Sequence, residues 1–118
     1  MLYYPCTTQT PNRLLDQHLK NISGAELKVI LVIIRRTLGM IDKNNPKQRV
    51  KHAWIAQKLF VLITGLSGRA VSSAVDSLVI KGFIVITDGT GHSLSSTSSR
   101  KAANRLYFAL SPVLLGWP

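Results

Sequence analysis

Acidic residues are scarce in this sequence: 5 Asp and Glu stand against 15 Lys and Arg, for a formal net charge of +10 over 118 residues. Such an excess repels itself in a folded chain, and nucleic acid is the usual partner of a compact basic domain, with an anionic membrane second. Cysteine is nearly absent. Cys6 stands alone, which excludes an intramolecular disulfide and a cysteine-based metal site and fits a reducing, cytoplasmic setting. His18, His52 and His92 are far apart, without an HExxH pattern, so no metal is expected. Long apolar runs are missing as well. The longest aliphatic stretch, Val29 to Ile34, falls far short of the roughly 18 residues a membrane span needs. The start, MLYYPCTTQTP, lacks the charged and apolar regions of a signal peptide. There is no nucleophile–base pair, no carboxylate pair and no phosphate loop. The GTGH of residues 89–92 lacks the spacing of either glycine-rich nucleotide motif. These absences lead us to expect a non-enzyme with no cofactor, no small-molecule substrate and no membrane partner.

What is present suffices for a core, since 46% of the residues are hydrophobic, which argues against disorder. Residues 1–9 read as an arm. Thr10-Pro11 opens a short helix to about Leu19, with Leu14, Leu15 and Leu19 expected to face inward. Ser23 and Glu26 form a capping box for a helix reaching Leu38, with Gly39 as its stop. Its VILVII centre would also suit a buried strand, but its length and end signals decide for helix. A polar, basic loop follows from Ile41 to Lys51, then a second helix from about Ala53 to Ile63. Thr64-Gly65-Leu66-Ser67 is a tight turn ending in an N-cap, and the third helix runs from Gly68 to Lys81, closed by Gly82. FIVIT at residues 83–87 and LYFAL at 106–110 read as strands around a serine-rich loop. Residues 112–118 form a short apolar tail.

This order predicts a mainly α fold with a small β-hairpin: a winged helix-turn-helix over residues 10–111, with three core helices and a two-stranded wing. On the third helix, Val71, Ala74, Val75 and Leu78 share one side, and Arg69, Ser72, Ser73 and Asp76 the opposite one. The second face is small, polar and tipped by an arginine. It suits a major groove about 12 Å wide, where arginine grips guanine O6 and N7. A solvated amphipathic helix would show the same pattern, and only the neighbouring turn and hairpin favour groove reading. Asp76 can accept from cytosine N4, repel a phosphate, or bond Ser72 one turn back; the last is the ordinary expectation. Arg100, Lys101 and Arg105 in the wing, and Lys43, Lys47, Arg49 and Lys51 in the basic loop, are candidate phosphate contacts. Trp54 belongs to a residue type whose ordinary place is the core. The apolar ends (Leu2 to Tyr4 and Val113 to Trp117) are the surfaces a homodimer would use.

The stretches TPNRLLDQHLKNISGAELKVILVIIRRTLGM and TGLSGRAVSSAVDSLVIKGFIVIT resemble the origin-binding N-terminal domain of the lambdoid phage replication protein O family and related phage and plasmid replication proteins. The resemblance covers about residues 10–87. It implies a winged helix that recognises repeated origin sequences on double-stranded DNA, with Ser67, Arg69, Ser72 and Ser73 as its base-contacting residues. Gly68 departs from the family pattern, in which arginine is common, and the stretch between Gly39 and Thr64 is longer. The chain ends soon after the wing, so a fragment or a simpler role than a full initiator is expected. A transcriptional regulator of the same fold and a protein-interaction winged helix remain the competing readings.

Overall fold

A computed structural model describes residues 5–115. Leu2, Tyr3, Tyr4 and Trp117, the apolar residues suspected of mediating dimerisation, lie outside them, while Val113 is 45% exposed. Helical turns over Leu14–His18 and Leu19–Asn21 lead into α1 (Gly24–Arg36), β1 (Ala53–Trp54), α2 (Gln57–Thr64), α3 (Gly68–Ile80), β2 (Ile84–Thr87), α4 (Thr97–Ala102), β3 (Tyr107–Leu110) and α5 (Pro112–Leu115). The fold is mainly α with a small antiparallel sheet of order β1-β3-β2. No single helix among the described residues is long and apolar enough to cross a membrane.

α1 begins as its capping box dictates. The Ser23 hydroxyl accepts from the Glu26 N–H at 3.2 Å, and the Glu26 carboxylate accepts from the Ser23 N–H at 2.7 Å. The helix then buries Val29, Ile30, Val32, Ile33 and Ile34. Around it pack Phe60 of α2, the Val71, Ala74, Val75 and Leu78 stripe of α3, and Ile84, Ile86, Phe108 and Leu110 of the sheet. Phe60 meets Phe108 edge to face, with ring centroids 5.1 Å apart, a favoured aromatic geometry. Glu26 is itself buried and takes the Lys81 ammonium at 2.8 Å, which ties the start of α1 to the end of α3. Burial pushes the Glu26 carboxyl up, but the Lys81 ammonium and the hydrogen bonds from Ser23 and Ser77 outweigh it and bring it down to about 2.

Four sequence expectations are corrected. The second helix starts at Gln57, because Ala53 and Trp54 pair with Phe108 and Tyr107 of β3 and make the sheet three-stranded, with Ile55 N–H continuing onto the Leu106 carbonyl. Trp54 thereby lies on an edge strand, 51% exposed rather than in the core. Of the three N-terminal leucines only Leu14 is buried; Leu15 and Leu19 are 49% and 40% exposed, since the chain there winds as wide and then tight turns rather than one regular helix. The serine-rich stretch is not a bare loop. Leu94 N–H bonds the Ile86 carbonyl at 2.8 Å along the free edge of β2, and Ser96 and Ser99 form a second capping box that opens α4.

Candidate nucleic-acid interface

α2 and α3 form the unit on which the candidate site rests. Gly65 ends α2 at φ 74°, a left-handed conformation that costs other residues about 1–2 kcal/mol. The Thr64 hydroxyl donates to the Phe60 carbonyl at 2.6 Å and accepts from the Leu66 N–H at 3.1 Å, fixing the turn from the other side. The chain bends by 105° between the two helices, within the usual range for a helix-turn-helix. Ser67 then caps α3, its hydroxyl accepting from the Ala70 N–H at 3.1 Å.

Arg69, in the first turn of α3, is exposed, and so are Ser67, Ser72 and Ser73. Arg69, Ser72 and Ser73 therefore lie on the solvent side of α3, with Ser67 exposed at its N-terminal end, but not on equal terms. Ser67 is engaged as the cap. The Ser72 hydroxyl accepts from Gln57 Nε2 at 3.1 Å, and the same amide nitrogen donates to the Gly68 carbonyl at 2.8 Å. Gln57 thus braces the first turns of α3 from the start of α2. Sequence reasoning missed it; the only signal was its place at the α2 start, 11 and 15 residues before its two partners.

Asp76 and Arg100 overturn two expectations at once. Arg100 is 8% exposed rather than on the wing surface. Its guanidinium pairs with the Asp76 carboxylate and donates to the Leu94 carbonyl at 3.1 Å. Asp76 therefore bonds the segment between β2 and β3, not Ser72, and the Arg100 cation is turned inward. The short α4 is what brings them together, since it positions Arg100 over the middle of α3. Lys101 and Arg105 remain exposed. Arg105 lies 4.3 Å from the Trp54 ring centroid, a cation–π contact that joins the segment before β3 to β1. The turn after β2 is held by Asp88, whose carboxylate accepts from the Thr90 N–H and hydroxyl and from the His92 N–H at 2.7 to 3.0 Å. The Thr90 hydroxyl, foremost among these donors, draws the Asp88 carboxyl below its ordinary value.

The basic loop folds as a small hairpin bridged at Ile41 and Arg49, and Lys43, Lys47, Arg49 and Lys51 are all exposed on it. Arg49 and Lys51 line a groove with Val85 and Ala109. Side chains alternate across a strand, so these two residues face away from Phe108 and from the core. Of the hairpin cations, Arg49 and Lys51 consequently belong to the outer face of the sheet.

Among the described residues, Lys81 and Arg100 are the only two of the 15 Lys and Arg side chains that pair with a carboxylate. The positive field is largely uncompensated. The same residues contain no cluster of His, Cys, Asp and Glu able to hold a metal. No protein-family model, no curated protein and no solved structure matches this chain.

Proposed function

We propose that the chain is a winged helix-turn-helix that binds double-stranded DNA, with α3 as its reading helix and the 88–105 segment as its wing. The observation that carries this reading is the braced α2–α3 unit. It offers Arg69 exposed and without a carboxylate partner at the start of a helix whose outer face is small and polar as far as Asp76, with Ile80 exposed at its far end. The order helix, strand, helix, turn, helix, strand, short helix, strand with a β1-β3-β2 sheet supports the same fold. The pairing of the buried Arg100 with the part-exposed Asp76 adds to it by anchoring the wing on α3. Lys101 and Arg105 are the wing residues that would meet phosphates, and Ser73 and Arg69 the side chains free to meet bases.

The role is initiation of replication in a phage or plasmid, on the strength of the sequence resemblance. Selection of bound sequences from random duplexes tests it directly: direct repeats are expected for an origin, whereas a single inverted repeat would point to a transcriptional regulator. Binding itself should be strongly salt-dependent, with log K falling against log salt at a slope near −4 to −5 if about four to six phosphates are neutralised. No binding at low salt, or binding indifferent to salt, would leave protein interaction as the function of this fold.

A further inference from the structure

α1 carries an outward stripe that the α3 face does not use and of which the core takes only Val32. Lys28, Leu31, Val32, Arg35 and Arg36 recur at the spacing that places side chains on one side of a helix. Together with Ile63 and Thr64 of α2 they line an open groove of about 270 Å³ between the two helices. Its floor and walls are apolar: Val32 is buried, while Leu31 and Ile63 are 45% and 52% exposed. Its rim is cationic and contains no acid. Lys28 Nζ is directed onto the Thr64 carbonyl at 3.3 Å, and Arg35 donates to the Gly39 carbonyl at 3.0 Å. These backbone contacts hold two of the three rim charges in place without neutralising them.

We infer that this groove is a docking site for an acidic amphipathic helix of a partner protein. Two apolar side chains of that helix would cover Leu31 and Ile63 while its carboxylates meet Lys28, Arg35 and Arg36. Charge and shape select this occupant over the others. DNA supplies phosphates but little apolar surface to cover Leu31 and Ile63. A second copy of this chain brings another +10 and only 5 acids, two of which, Glu26 and Asp76, are already held in internal ion pairs. A membrane surface is entered by a convex apolar face, whereas here the apolar surface is recessed between two helices.

The probe is a synthetic helix of about 18 residues with leucines at helical spacing and glutamates elsewhere, titrated into the full chain by fluorescence anisotropy and backbone amide shifts. It should bind, with shifts centred on Lys28, Leu31, Arg35 and Ile63, while a version carrying lysines for glutamates should not. The Leu31→Ser, Ile63→Ser double variant should weaken it at least about tenfold. Both positions are half exposed, so the fold should survive, which circular dichroism checks. Lys28→Glu should weaken it about threefold. Duplex DNA in excess should leave the peptide bound. The inference is overturned by absent binding, by equal binding of the lysine peptide, or by indifference to the double variant. It is equally overturned if duplex displaces the peptide, or if groove-dependent binding appears only with phosphatidylglycerol vesicles or as self-association.

Discussion

Glu26→Gln removes one buried charge while leaving an amide oxygen that can still accept the Ser23 N–H, so the helix cap is retained. What is lost is the ion pair with Lys81 at 2.8 Å. The carboxyl lies at about 2 instead of 4.5. At about 1.4 kcal/mol per pH unit this corresponds to an upper value near 3 kcal/mol. Lys81 is 37% exposed at its side chain, and solvent screening there brings the expectation to about 2–3 kcal/mol. Because the folded-state value is depressed, this stability is fully present above the unfolded value near 4.5 and is lost as pH falls through about 2. Urea denaturation followed by circular dichroism should therefore find the variant about 2–3 kcal/mol less stable at neutral pH, with an unchanged m-value. The gap should narrow steadily below about pH 4.5. Comparing the two proteins at each pH cancels the general acid destabilisation of a strongly positive chain. A gap that stays constant down to about pH 2.5, or one below about 0.5 kcal/mol at neutrality, would refute the assignment of this stability to the Glu26 charge.

On DNA, Arg69→Ala should cost about 1–3 kcal/mol on the preferred site and far less on random duplex; equal losses in gel-shift titrations would make Arg69 a phosphate contact. Lys101→Ala and Arg105→Ala should weaken both kinds of DNA alike and each reduce the salt slope by about one unit. Arg100→Ala should behave differently, lowering stability by about 1–3 kcal/mol because it removes a buried guanidinium bonded to both Asp76 and the Leu94 carbonyl. The Arg100→Ala, Asp76→Ala pair should lose clearly less than the two singles added together, a coupling that urea denaturation of the four proteins measures. Gly65→Ala should cost about 1–2 kcal/mol by thermal melting, since φ is 74° there while nothing lies within 4 Å of an added Cβ.

Local chemistry determined much of this molecule. The capping box at Ser23 and Glu26, the Ser67 cap, the glycine turn at Gly65 and the apolar stripe of α3 all act over a few residues, and each is readable from spacing alone. They specify α1, the bent α2–α3 pair and the exposed position of Arg69. Tertiary structure decided what depends on partners distant in the chain. Ala53 and Trp54 become a strand only because β3 offers them an edge more than 50 residues later, and no local signal separates that outcome from the first turn of a helix. The serine-rich stretch reads as flexible by composition, yet Leu94 bonds β2 and Arg100 reaches Asp76, 24 residues earlier in the chain. The same pair turned an expected surface cation into a buried anchor, because a charge run shows that arginine is present but not which carboxylate will be brought within reach. Glu26 shows both levels at once: its sequence position made it a cap, and only the packing of α3 across α1 gave it Lys81.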